Sequence, residues 1–400
     1  MVTDASPAAS ASHTRGAALR ALPIFLAFFV MGFVDAVGTL VGFAKTEFRL
    51  TGAEAGLLPF FGFVAFALFS VPAGVFADRR GKRLLLLVSL GVVLAGQVVA
   101  SLSLSSYGRL LAAIFLIGVG MAALQVAGNP MMRDVSSPGR YARNLTFAQF
   151  LKSLGSISGP YATTLIIAMG FAWYRIFPVF AAVTLATLVL GLVLSAPGSE
   201  DRDRPASVAA SFALLKVPEV ALAVAGIFLY VGAEVGLNSW LATFLSRTFG
   251  MDLGSTATRW GPGLFFIALS VGRLLGSGVL GFLDARRFFR VSALLGLVGL
   301  AMILFGNRAA ALSGIVLCGL GFANVWPLVF SLTIDRRPEQ SGALSGLMCM
   351  AIFGGALLPA VMGVAADHAG IRLAFLVPAA CFAYLTALAF SRRRNAAASP

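Results

Sequence analysis

From Leu84 to Leu104 the chain reads LLLLVSLGVVLAGQVVASLSL, 21 residues without a charge. A run of that length fits one crossing of a bilayer, because about 20 apolar residues span the hydrocarbon. The pattern recurs. Twelve such runs can be read, at 21–44, 55–77, 84–104, 110–132, 145–169, 174–195, 219–245, 261–283, 290–306, 309–333, 341–366 and 371–390. Only 12% of the 400 residues are charged, and no water-soluble domain of this size hides that much apolar surface. The expectation is an all-α membrane protein with twelve transmembrane helices. The 44 glycines suit helices that pack closely. The first run is too long for a signal-peptide core and many spans follow it, so it reads as a helix that stays.

The net charge of +14 is read through its distribution. With the start of the chain placed inside and loops assigned alternately, 20 of the 30 basic residues fall inside and 8 outside, while Lys152 and Arg273 lie within spans. The positive-inside rule then expects a multi-pass protein of the cytoplasmic (inner) membrane with both termini in the cytoplasm. The basic charge is accounted for by topology and by contact with anionic lipid, not by nucleic acid. Cys318, Cys349 and Cys381 fall in spans without metal spacing, and His13 and His368 stand alone. No catalytic set, metal or cofactor is expected, and the chain does not read as an enzyme.

An internal repeat divides the chain. Asp78 in "GVFADRRGKR" and Asp284 in "GFLDARRFFR" are 206 residues apart, Pro130 and Pro327 are 197 apart, and Pro160 and Pro359 are 199 apart. An offset near half the chain, with six runs in each half, reads as a parallel duplication suited to two bundles rocking about a midplane site. The expected organisation is a disordered cytoplasmic tail over 1–20, a six-helix bundle over 21–195, a cytoplasmic linker over 196–218, a second six-helix bundle over 219–391 and a cytoplasmic tail over 392–400.

"GVFADRRGKR" after a second span resembles the signature of the major facilitator superfamily, a Gly, then Asp-Arg, then Gly followed by basic residues. Asp78 can cap a neighbouring helix or pair with a base, and the glycines allow a tight turn. The resemblance implies a gating latch of Gly74, Asp78, Arg79, Gly81, Lys82 and Arg83, with Asp284 as the counterpart in the second half. Further segments, "LQVAGNP", "FAQFLKSLGSISGP", "FLYVGAEVGLNSWLATFL", "FANVWPLVFSLTI" and "IFGGALLPAVMGVAAD", resemble the fucose–galactose–glucose:proton symporter family within that superfamily. That resemblance implies the two-bundle fold, alternating access and a sugar-like substrate. The chain also departs from the family pattern. An Asn-Asp pair in the first span is Gly38-Thr39 here, a fourth-span glutamate is Gln125, and a fifth-span asparagine is Lys152.

Ionisable groups deep in a span are costly unless paired or wet, which makes each a functional candidate. Asp35 and Glu234 are the acids near the middle of spans, and Lys152 and Arg273 are the bases. Asp35, Lys152 and Glu234 are the candidates for proton coupling. Lys152 has two readings, a pair with Asp35 or a seat for a carboxylate on the substrate. Structural pairing is the default for Arg273. Thr39 lies one turn beyond Asp35, Gln149 shares a face with Lys152, and Gln125 and Asn129 share a face of the fourth span. Tyr230, Glu234 and Asn238 recur every four residues along the seventh span, and Asn324 and Trp326 flank one another in the tenth. Amides and aromatic faces suit a hydroxylated ligand. The expected function is proton-coupled import, by alternating access, of a sugar or a sugar derivative, neutral or acidic, by a secondary transporter working as a monomer in the bilayer. Sodium coupling and uniport remain open. The alternative is a proton-driven exporter of drugs or metabolites.

Overall fold

The computed structural model describes residues 21–102, 106–194 and 207–391, except for the side chains of residues 36, 37 and 39. The expected tails, the first part of the expected linker and the Thr39 side chain lie outside the described residues. All regular structure among the described residues is helical. Ten helices are long and apolar enough to cross a membrane: Gly52–Arg80, Lys82–Leu102, Tyr107–Asp134, Trp173–Val193, Pro218–Phe249, Leu253–Val279, Ala285–Phe305, Arg308–Ile334, Pro338–Ala369 and Ile371–Phe390. A bent pair over 21–47 makes an eleventh. The twelfth, Tyr141–Ala168, is 28 residues long but more polar than the others, because Gln149, Lys152, Ser153, Ser156 and Thr163 interrupt it. In chain order, 21–47 is the first span and Tyr141–Ala168 the fifth.

The ends of the spans follow local chemistry. Thr51 and Glu54 form a reciprocal capping box at the start of the second span. Gly81, at φ 91°, ends that span, and the third begins at the next residue. Pro327 lies just beyond a break in the tenth span, between helical segments Arg308–Phe322 and Val325–Ile334. Between the two halves, the described part of the linker carries a short helix, Val208–Ala213, ahead of Pro218, which opens the seventh span.

Glycine sets the depth at which the helices cross. A methyl group at Gly32 would collide with the Lys152 carbonyl, and one at Gly155 with the Phe29 carbonyl, so the first and fifth spans touch backbone to backbone. In the second half, a methyl at Gly354 would collide with the Phe228 carbonyl. Gly155 and Gly354 are 199 residues apart, and so are Phe29 and Phe228. The same crossing is therefore built twice, in the register the prolines announced.

The two halves meet mainly at the end that carries the basic loops. There, second-span residues Gly74 and Ser70 pack on Gly342 and Gly346 of the eleventh. Ser345 donates to the Val126 carbonyl at 2.9 Å, and Arg133 pairs with Asp335 at 2.8 Å. Away from that end Asp35 and Asn238 are exposed. The molecule is thus closed at its basic end and accessible from the other.

Candidate functional site: paired charges where the bundles meet

Asp35 sits one turn beyond Gly32, at the point where the first span touches the fifth. The crossing delivers its carboxylate to Lys152, with Nζ 3.5 Å from Oδ2. Ser156, one turn further along the fifth span, donates to the same oxygen at 2.7 Å. The Lys152 side chain is 16% exposed and that of Asp35 is 39% exposed, so the pair is only partly enclosed by the protein. Of the two readings of Lys152, the geometry is that of the protein-internal pair.

Glu234 occupies the corresponding place in the second half, 199 residues after Asp35. Its partner does not correspond. Arg273 of the eighth span reaches it, with Nη2 3.5 Å from Oε1, and the two side chains are 7% and 22% exposed. Arg273 also donates from Nη1 to Ser153 of the fifth span at 2.6 Å. That bond crosses from one bundle to the other and lands beside Lys152. The default of structural pairing for Arg273 therefore holds within its own bundle, and the arginine adds a bridge that sequence spacing did not point to.

The polar stripe of the seventh span runs from closed to open. Tyr230 is fully buried with its ring against Phe322, Glu234 is partly exposed and Asn238 is exposed. Other nominated groups are buried in this state. Asn324 donates to the Gly272 carbonyl at 3.2 Å, which ties the break in the tenth span to the eighth. Asn129 faces Cys349 across the closed seam, Nδ2 to Sγ 3.9 Å, and its carbonyl accepts from Tyr141. Gln125, Gln149 and Trp326 are each at most 5% exposed. The buried Asn129 amide oxygen and Trp326 indole N–H have no hydrogen-bond partner among the described residues. Unmatched polar atoms of this kind fit a surface that a hydroxylated ligand or water reaches in another state.

At the basic end, Asp78 accepts from the backbone N–H groups of Gly342 and Ala343, at 3.2 and 3.0 Å. Those are the first-turn donors of helix Ser341–Met350, so the carboxylate of one bundle caps a helix of the other. Gly74 permits the approach, and Lys82 pairs with Asp134 at 2.7 Å behind it. Arg83 turns toward the Gly191 carbonyl. Asp284 is a correction to the expected latch. It precedes the ninth span and accepts from the backbone N–H of Arg286 and Arg287, capping its own helix and making no bridge to the other bundle among the described residues. The two aspartates share a motif but not a place. Asp78 lies in the last turn of a helix and reaches across to the other bundle, whereas Asp284 is an N-cap residue and is used locally.

Residues 24–351 match the Major Facilitator Superfamily. A glucose/galactose transporter of Brucella abortus is 30% identical over 390 residues, covering 94% of each chain. The chain belongs to the major facilitator superfamily. Among solved structures of this superfamily, the chain is similar to an E. coli fucose:proton symporter, with a TM-score of 0.82 and 21% identity over 93% of this chain and 98% of that one. A structure of the same transporter described as in the outward conformation superposes with a TM-score of 0.81 at 22% identity, over 92% and 98% of the two chains. These likenesses establish the fold. Within it, the Asp78 carboxylate of the first bundle caps helix Ser341–Met350 of the second.

Proposed function

We propose that this protein is a secondary transporter that carries a sugar across the membrane by alternating access, in symport with a proton. The observation that carries the reading is the Asp35–Lys152 pair. It joins the first and fifth spans beside the accessible side of the molecule, in a chain whose relatives are named as sugar transporters.

The chemistry suggests how proton and sugar are linked. With Asp35 ionised, Lys152 has its counter-charge and needs no ligand. Protonating Asp35 removes that charge and leaves an ammonium deep in a helix bundle, which is unfavourable without acceptors. Sugar hydroxyl oxygens are such acceptors. Proton and sugar then favour each other's binding, and by reciprocity neither is held as well alone. Gln149 beside Lys152 and Asn238 on the facing span are the amides we assign to further hydroxyls. Tyr230, Trp326, Gln125, Asn129 and Asn324 would join when the bundles rock and the basic end opens. Glu234 stays with Arg273 through this cycle. No covalent step is required, so the protein acts as a carrier and not as an enzyme. The basic end is assigned to the cytoplasm, with both termini on that side of the inner membrane, and the monomer is the transporting unit.

The test is uptake by purified protein in proteoliposomes. Labelled galactose, glucose or fucose should accumulate when the lumen is made alkaline, and a protonophore should abolish it. Accumulation driven equally by a sodium gradient at uniform pH would contradict the choice of ion. Failure of all neutral sugars, with uptake of uronic acids instead, would return Lys152 to the role of substrate anchor.

A further inference from the structure

A crevice lies away from these charges, at the basic end of the second bundle. It opens between the seventh, ninth, tenth and twelfth spans. Its walls are apolar, supplied by Val220, Ala223, Phe289, Val329, Leu332 and Leu388, and its rim is basic, supplied by Arg286, Arg336 and Arg337. Glu219 is the acid that faces it.

The rim carries more positive charge than it neutralises. Arg336 pairs with Glu219 at 3.0 Å. Arg286 donates to the Ser391 carbonyl at 2.8 Å, and Arg290 next to it donates to the Ala389 carbonyl at 3.2 Å, so both cap the end of the twelfth span. Asp335 is engaged by Arg133 of the other bundle. The Arg337 guanidinium makes no hydrogen bond or ion pair among the described residues. Three guanidinium groups thus face one carboxylate over an apolar floor. Phe390 stands half-exposed at the edge with Arg290 over its ring, 5.3 Å from the centroid, as an aromatic would at the membrane boundary.

We infer that this crevice binds an anionic glycerophospholipid, its phosphate among Arg286, Arg336 and Arg337 and the start of an acyl chain against Leu332 and Leu388. A charged rim over an apolar wall, at the level where a leaflet's phosphates lie, matches that amphiphile on both counts, whereas a soluble anion would use only the rim. The site adjoins the seam between the bundles. Arg336 and Arg337 directly follow Asp335, which holds Arg133 across the closed end. Lipid bound there steadies the segment on which closure depends.

The experiment uses the full chain in neutral detergent, titrated with short-chain phosphatidylglycerol, phosphatidylcholine or inorganic phosphate. Lipid retained is read by native mass spectrometry and stability by the thermal midpoint. Phosphatidylglycerol should be retained and raise the midpoint, and the other two should not. Arg337→Gln should weaken retention roughly fivefold, the equivalent of about 1 kcal/mol for one surface guanidinium. Arg337→Lys should restore most of it, and Arg247→Gln at the opposite end should change nothing. Should Arg337→Gln fold poorly, a phosphatidylglycerol with a photoreactive acyl chain should label the wild-type peptides that contain Leu332 and Leu388. Equal retention of phosphatidylcholine, an equal shift by inorganic phosphate, unaltered binding in Arg337→Gln, or labelling confined to other peptides would overturn the site.

Discussion

Asp35 and Glu234 occupy the same position in the two halves, 199 residues apart, each six residues beyond the phenylalanine, Phe29 or Phe228, at a close crossing of helices. They have been put to different uses. Asp35 pairs with a neighbour in its own bundle and is 39% exposed, whereas Glu234 is 22% exposed and pairs with an arginine that also grips the opposite bundle. Duplication supplied two acids at one depth, and the choice of partner separated them. The wetter pair can lose its charge at modest cost, because water and a hydroxylated ligand can replace the partner. The drier pair cannot, because removing one buried charge strands the other. In the proposed cycle the first pair is therefore the one that opens and the second the one that joins the bundles.

Breaking the drier pair should have the largest effect. Arg273→Gln leaves Glu234 without a counter-charge and Ser153 without its donor. We expect a loss of about 3 kcal/mol in stability, toward the low end for breaking a buried pair because Glu234 is partly exposed, together with loss of transport. Chemical denaturation in detergent and uptake by proteoliposomes check both. A smaller effect is expected from Ser153→Ala, which removes only the bond between bundles. It should leave the Arg273–Glu234 pair in place and favour the state open at the basic end by about 1 kcal/mol, roughly fivefold in population. Spin-label distances across that end would report it. Asp78→Asn, which weakens the charged cap on helix Ser341–Met350, should shift the same distances by a similar or smaller amount. Asp284→Ala should cost about 1 kcal/mol of stability as a lost N-cap and leave those distances unchanged.

Much of this arrangement is legible in the sequence, because membrane helices must satisfy their own backbones and so announce themselves as apolar runs. The fifth span is the instructive exception. Three of the residues that make it more polar than the other spans, Lys152, Ser153 and Ser156, are the ones that meet Asp35 and Arg273. The Asp35–Lys152 contact was one of two open readings. The contact itself comes from the Gly32 and Gly155 crossing, and a glycine reports that a backbone comes close without saying which one. Ser153 and Ser156 carry no charge and do not stand out in the sequence. Their spacing from Lys152 put Ser156 on its face, and this signal was available but weak, since serines are common helix contacts. The equivalence of Asp35 and Glu234 was also available, in the offset that relates Pro160 to Pro359. The bridge from Arg273 to Ser153 was not, because it depends on how two bundles meet. The local use of Asp284 could have been read from its place before a helix, yet the motif it shares with Asp78 pointed elsewhere.

The central claim is that Asp35 carries the proton that couples sugar movement to the gradient. Its most direct test is Asp35→Asn in proteoliposomes, with net uptake and counterflow of the same labelled sugar measured side by side. The account predicts that accumulation against a gradient is lost while exchange between preloaded and external sugar persists. Accumulation by the variant to the wild-type level under an imposed proton gradient would contradict it.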